Sequence, residues 1–121
     1  MNERQILIAA RDLNKRSRTT GRHLAETADG VEVRPVDSRA ERFSPIGAIC
    51  HLAPWQSRDG SPPWADATEA GEQAAVLLND AARSEGYRCA THAAITGGPA
   101  VEDRVFARAI TRAHNDRRVT R

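Results

Sequence analysis

Residues 74–87, AAVLLNDAARSEGY, decide the fold class of this chain. Apolar residues recur three and four positions apart along this stretch, which is the spacing of one face of an α-helix. Asp66 with Glu69 three residues later is typical of a helix N-terminus, and Gly86 is typical of the residue just after a helix end. We therefore predict a helix over residues 67–85. The members of its apolar stripe are Ala74, Leu77, Leu78, Ala81 and Ala82.

Helical spacing of apolar residues also occurs before this segment. A first helix is predicted over about residues 3–16, where Asn2 and Gln5 have the spacing of a capping box. A nearly continuous apolar run predicts a second, buried helix over about residues 44–53. Gly47 within this run indicates a close helix contact, because any side chain would hold the neighbouring helix away.

The other segments carry turn and loop signals. Asp29-Gly30 lies between short alternating runs in residues 24–36, which predicts a small two-stranded β-ribbon between the first and second helices. Residues 54–66 are rich in Pro, Gly and Ser and are predicted to form a long loop. The last helix is expected to begin at the Gly-Gly-Pro sequence of residues 97–99, after an irregular stretch.

Length and composition fit one domain with a thin core. The chain has 121 residues, 18 basic and 16 acidic side chains and a net charge of +2. Alanine supplies 21 residues, as many as Leu, Ile, Val and Phe together. We predict a mainly α, four-helix single domain over residues 1–116, followed by a basic C-terminal tail at residues 117–121. The residues expected to be buried against one another are Ile49, Leu77, Leu78, Phe106 and Ile110.

Composition also excludes several classes of protein. No run approaches the ~18 apolar residues of a membrane span, so no membrane partner is expected. No apolar segment follows a basic start, so we expect no signal peptide and a cytoplasmic location. Cys50 and Cys89 are too few for a disulfide framework and are expected to be reduced thiols.

Three stretches carry a family resemblance: HLAETADGVEVRPVDSRAERFSPIGAI at residues 23–49, VLLNDAARSEGY at 76–87 and VFARAITRA at 105–113. Together they resemble a family of small bacterial and phage proteins with an Asp-Gly turn, an aromatic-Cys-x-x-Gly-Ala-Leu helix, a Leu-Leu-x-x-Ala-Ala helix ending in Gly-Tyr, and a last helix. The resemblance implies a helical fold and a link to phage, and it brings no activity with it.

Sulfur and imidazole ligands occur in two pairs, Cys50-His51 and Cys89-x-x-His92. Two thiols and two imidazoles are a usual ligand set of structural zinc. Adjacent helical residues point about 100° apart, however, so the first pair is poorly placed to share one ion. We expect buried cysteines, with no metal and no cofactor.

Catalytic motifs are weak in this chain. His23-x-x-Glu26 could pair a base with an orienting acid, but such pairs on polar strands are commonly solvated. The phosphate-binding glycine loops, the nucleophile elbow and the His-Glu-x-x-His motif do not occur in the sequence. We assign no catalytic residue, and an enzyme remains an open alternative.

Arg104, Arg108 and Arg112 form one row on the last predicted helix, because residues four apart share a face. One interpretation is a solvated face that pairs with the acidic helix at residues 67–85. The other is a surface for an anionic partner, either nucleic acid or an acidic protein. A net charge of +2 argues against strong non-specific DNA binding, which needs many phosphate contacts.

Trp55 and Trp64 lie in or beside the long loop. Tryptophan is frequent at protein interfaces, and it can also cover a thin core. With the arginine row, these two residues complete the predicted partner-binding set. The sequence favours a non-enzymatic binding protein, encoded by a phage or mobile element, that occludes a protein or nucleoprotein complex in the manner of an inhibitor or anti-defence protein. The alternatives are a nucleic-acid-binding regulator that uses the arginine row, and a small enzyme or zinc protein.

Overall fold

The computed structural model describes residues 2–19, 23–53 and 65–119, with side chains described outside residues 65–69 and 115–119. Within these ranges the fold is mainly helical, with three short strands between the first and second of four helices, as the element order shows. The elements are α1 (Glu3–Arg16), β1 (Ala25–Glu26), β2 (Glu32–Val33), β3 (Arg42–Phe43), α2 (Pro45–Leu52), α3 (Ala65–Ser84) and α4 (Ala90–Val119).

The first helix begins where its capping signal predicts. The side chain of Asn2 accepts a hydrogen bond from the Gln5 N–H at 2.9 Å, and Gln5 Oε1 accepts one from the Asn2 N–H at 2.9 Å. This reciprocal pair satisfies two amides that the first turn leaves without helical partners. The capping box is therefore confirmed.

The sheet has three strands, so the predicted two-stranded ribbon is wrong in its strand number. The strand order is β2-β1-β3, and both pairings are antiparallel. The predicted turn is present: the Thr27 N–H donates to the Val31 carbonyl at 2.9 Å, and Gly30 has a φ of 86°. The third strand pairs Phe43 with Ala25, and this pairing joins distant residues that carry no local alternating pattern.

Ser44 is the N-cap of α2, and its hydroxyl accepts a hydrogen bond from the Gly47 N–H at 3.0 Å. Gly47 does lie at a close approach, because a Cβ there would be 1.7 Å from the Leu24 carbonyl oxygen. The neighbour is the chain entering β1, so the expected helix–helix contact is wrong. The Ser44 N–H also donates to the Leu24 carbonyl, at 3.0 Å, which holds the start of α2 against the sheet.

The third helix ends in a Schellman motif. Gly86, with a φ of 95°, donates its N–H to the Arg83 carbonyl at 3.0 Å, and the Tyr87 N–H donates to the Ala82 carbonyl at 3.0 Å. This is the glycine C-cap that the sequence indicates. Glu85 is consequently the last residue before the turn, and its backbone position is fixed.

A helical segment begins at Ala90, so the expectation of an irregular stretch up to residue 97 is wrong, whereas the helix predicted to start at the Gly-Gly-Pro sequence is present beyond a kink within α4. Asn79 of α3 explains the start, because its Oδ1 accepts the Ala90 N–H at 2.9 Å. Gly98 interrupts α4 with a φ of 76° and a ψ of −171°, which produces a kink at the predicted Gly-Gly-Pro start. Beyond the kink, α4 continues to Val119, into the segment expected as a tail.

The core lies among α1, α2, α3 and α4, and alanine supplies much of it. Ile49, Leu78 and Phe106 are fully buried and Leu77 is 8% exposed, which confirms these predicted core residues. Ile110 is only partly buried against the same cluster. No helix among the described residues is both long and apolar enough to span a membrane.

Candidate partner-binding site

The arginine row lies on the part of α4 that follows the kink. Val105, Phe106 and Ala109 of this segment are buried and face the core. Residues four apart share a helix face, so Arg104, Arg108 and Arg112 line up on the opposite, outer side, about 6 Å apart along the axis. The side chains of Arg104 and Arg108 are 58% and 46% exposed.

Glu85 lies against this row and joins two of its members. Arg104 Nε is 3.2 Å from Glu85 Oε1, and Arg108 NH2 is 2.7 Å from Glu85 Oε2. Arg108 Nε also donates to Oε2, at 3.1 Å. Both carboxylate oxygens are therefore engaged, while the Glu85 side chain is only 15% exposed.

Hydrogen bonds from Arg108 and then Arg104 hold the pKa of Glu85 below its ordinary value of 4.5. The carboxylate is therefore ionised at neutral pH. Its place at the end of α3 is intrinsically unfavourable, because the partial negative charge of a helix C-terminus repels an anion. The two arginines offset this repulsion and connect the end of α3 to α4.

The remaining arginine of the row has a different contact. Arg112 NH2 donates to the Ser84 hydroxyl at 3.1 Å, and in the described part of the chain no carboxylate lies within ion-pair distance of it. An open groove of about 510 Å³ runs along the row. It is lined by Glu85, Arg104, Ala107, Arg108, Thr111 and Arg112, and we call it the arginine groove. Three guanidinium groups and one carboxylate leave it an excess of two positive charges.

Of the two sequence interpretations of the row, intramolecular pairing holds for Arg104 and Arg108. Their partner is the last acidic residue of the segment predicted as an acidic helix. The sequence missed Glu85 as a specific partner, although its place next to the C-cap residue Gly86 was a usable signal. Trp55 and Trp64, the other predicted partner-binding residues, lie outside the described residues.

In the two cysteine–histidine pairs, both histidines have hydrogen-bond partners and Cys50 is partly buried. Burial raises the pKa of the Cys50 thiol to about 11, which disfavours the thiolate that metal binding or nucleophilic attack needs. His51 Nδ1 donates to the Pro35 carbonyl at 2.7 Å, and His92 Nδ1 accepts the Arg88 N–H at 3.0 Å. Where the structure describes side chains, no three His, Cys, Asp or Glu residues are grouped as a metal site requires.

The His23–Glu26 pair is formed, but it is not the solvated pair that the sequence suggested. His23 Nδ1 and Glu26 Oε2 are 2.7 Å apart, and Glu26 is fully buried. A second buried carboxylate, Glu102, contacts Arg18 Nε at 2.5 Å. Sequence patterning missed both, because acidic residues near a strand or in the first turn of a helix are ordinarily exposed.

Comparison with protein-family models, with curated proteins and with solved structures finds no match for this chain. The resemblance carried by the stretches between residues 23 and 113 accordingly stays a hypothesis. The arginine groove is therefore the main structural indication of function.

Proposed function

We propose that this chain is a non-enzymatic binding protein that occludes a macromolecular partner, and that the arginine groove forms part of its contact surface. The groove is open, the side chains of Arg104 and Arg108 are about half exposed, and their helix is anchored in the core. Arginine forks recognise carboxylate and phosphate groups by paired hydrogen bonds. A partner that presents anionic groups would therefore bind along this row.

The observation that carries the proposal is the excess charge at Arg112. Intramolecular pairing accounts for Arg104 and Arg108, and among the described side chains the third member of the row, Arg112, contacts the Ser84 hydroxyl and no carboxylate. Like charges at four-residue spacing destabilise an isolated helix by a few tenths of a kcal/mol per pair. An anionic partner would relieve this repulsion and would gain a charge-assisted hydrogen bond.

An inhibitory or anti-defence role is the form of occlusion that we favour. Its support is the row of basic residues on the outer face of α4 and the sequence resemblance to bacterial and phage proteins. A small domain with a rigid charged face can block a larger assembly simply by covering its surface.

Substitution of Arg112 tests the proposal better than charge reversal at Arg104 or Arg108. A glutamate at either of those positions would face Glu85 and could unfold the domain. Arg112→Glu reverses the charge that has no carboxylate partner among the described side chains, and Arg34→Glu is the matched control because Arg34 is exposed on the turn after β2. Circular dichroism should show that both variants are folded.

The binding measurement is fluorescence anisotropy with a labelled acidic peptide and, separately, a labelled DNA duplex. We expect Arg112→Glu to weaken binding to an anionic probe at least ~10-fold, within the range of charged contacts at interfaces. Arg34→Glu should leave binding near wild type. Equal losses in the two variants would show that only overall charge matters, and would contradict the proposal. A loss seen with DNA alone would favour the nucleic-acid regulator.

A further inference from the structure

We infer that the Glu85 carboxylate occupies the arginine groove in competition with the partner, and that an acidic peptide segment of the partner binds there by displacing it. This inference rests on the proposed function and adds the class of the ligand and the way in which the site is regulated.

The contacts of Glu85 define a carboxylate-binding site. One oxygen is bound by Arg104 and the other by two nitrogens of Arg108. The Glu85 side chain is 15% exposed, while both arginine side chains are about half exposed. A carboxylate from another chain could therefore approach the same guanidinium groups from the solvent side of the groove.

The backbone of Glu85 is fixed, and its side chain is held by contacts with Arg104 and Arg108 alone among the described residues. The Schellman motif fixes the main chain on both sides of Glu85 through the Gly86 and Tyr87 amides. The side chain itself is held by the two arginines, and the partial negative charge at the end of α3 opposes its position. Rotation of the Glu85 side chain would empty the site without any change in the fold.

The residual charge of the groove favours a short acidic peptide over nucleic acid. Three arginines less one carboxylate leave two positive charges. Proteins that bind DNA strongly neutralise about 6–10 phosphates, and the affinity rises steeply with that number. Two positive charges are too few for strong DNA binding. Two or three carboxylates of an acidic peptide segment, in contrast, would match the charge of the row.

Glu85→Gln tests the inference, with Asp80→Asn as the matched control. Both variants remove one negative charge near the end of α3, but Asp80 pairs with Arg83, away from the row. The probe is a fluorescein-labelled octaglutamate peptide, with a labelled DNA duplex as the second ligand. We expect Glu85→Gln to bind octaglutamate about fivefold more tightly than wild type, because a neutral amide competes less well than a carboxylate for the two guanidinium groups. Asp80→Asn should change the affinity less than twofold.

The outcomes separate this inference from the proposed function. If wild type binds octaglutamate and Glu85→Gln binds no better, or improves only as much as Asp80→Asn, Glu85 is not a competitor and the inference alone fails. If neither wild type nor Glu85→Gln binds either anionic probe, the proposed function fails as well. If Glu85→Gln gains affinity for DNA but not for octaglutamate, the assignment of an acidic peptide is wrong.

A measurement on the wild-type protein keeps the test independent of how the variant folds. The ¹³C signal of the Glu85 carboxyl group can be followed by NMR across a pH titration, with and without octaglutamate. Displacement should return the pKa of this carboxyl toward its ordinary value, because the two arginines would then bind the peptide. An unchanged titration with the peptide bound would overturn the inference.

Discussion

Arg18 links the segment after α1 to the last helix. Its Nε lies 2.5 Å from Glu102 Oε2, and its NH2 lies 3.0 Å from Asp103 Oδ1. Burial raises the pKa of Glu102, and the hydrogen bond from Arg18 partly counteracts that shift. A buried carboxylate that loses its cation is costly, so this residue contact matters more than a surface ion pair of similar length.

Arg18→Ala is expected to lower the free energy of unfolding by about 2–3 kcal/mol, because Glu102 would be left buried without its cation and Arg18 itself is partly exposed. Urea denaturation at pH 7 measures this loss. The double variant Arg18→Ala with Glu102→Gln should recover a substantial part of it. An equal loss in the single and double variants would show that the packing of the Arg18 stem, rather than its charge, is what stabilises the fold.

The same pair predicts a pH dependence with a definite sign. Folding raises the pKa of Glu102 above 4.5, so the native state binds this proton more tightly than the unfolded chain does. The stabilisation that comes from this proton on Glu102 is fully present below pH 4.5, and it is lost as the pH rises through the raised pKa. We expect the stability of Glu102→Gln relative to wild type to improve with pH over this interval, as measured by urea denaturation at several pH values. A difference that is constant with pH would contradict the prediction.

At the scale of elements, the last helix is held by contacts from α3, from Glu85 just after it and from the segment after α1. Ala90 is buried, and its N–H is satisfied by Asn79 Oδ1 at 2.9 Å. Further along α4, Glu102 and Asp103 bind Arg18, and Arg104 and Arg108 bind Glu85. Acidic and basic residues of this helix are thus held by different partners, which fixes both its start and its rotation about its axis.

Asn79→Ala should cost about 1–2 kcal/mol, because it removes the acceptor for the buried Ala90 amide. Thermal denaturation gives the overall loss, and amide hydrogen exchange should show reduced protection near residues 90–97. Gln73→Ala is the matched control on the same helix, since Gln73 is exposed. Unchanged protection at the start of α4 in Asn79→Ala would mean that this helical segment does not depend on α3 for its start.

At the scale of the whole molecule, an alanine-rich core lets the helices pack closely but offers few large side chains. Leu78 is fully buried, and Val76, two residues away on the same helix, is 53% exposed. Gly71 permits another close approach, since a Cβ there would lie 2.9 Å from the Ala53 carbonyl oxygen. Loss of one large buried side chain should therefore remove a large share of the free energy of unfolding of so small a domain.

Leu78→Ala should lower the free energy of unfolding by about 2–5 kcal/mol, through lost burial and the cavity left behind. Val76→Ala should change it by less than about 0.5 kcal/mol, because its side chain is largely in solvent. Chemical denaturation of both variants measures the contrast. Similar losses at the two positions would show that the α3 face is assigned incorrectly.

Short sequence patterns predict structure correctly where the stabilising contacts are between residues close together in the chain. The Asn2–Gln5 capping box, the Asp29-Gly30 turn and the Gly86 C-cap each depend on neighbouring backbone groups, and each is present. The helical segment that starts at Ala90 is not predicted by the sequence, because its capping acceptor comes from Asn79, on another helix. The candidate site was predicted at Arg104, Arg108 and Arg112 from their spacing, but their carboxylate partner lies on a different element.

The sequence by itself determined the helical class, the buried face of α3 and the alignment of the arginine row, because helical periodicity and capping act over one or two turns. Only the tertiary structure decided that β3 pairs with β1, that Glu26 and Glu102 are buried, and that Glu85 lies between two arginines. These features join residues far apart in the chain, and long-range contacts leave no periodic signal. The charge left over at Arg112 is visible only after that pairing is known.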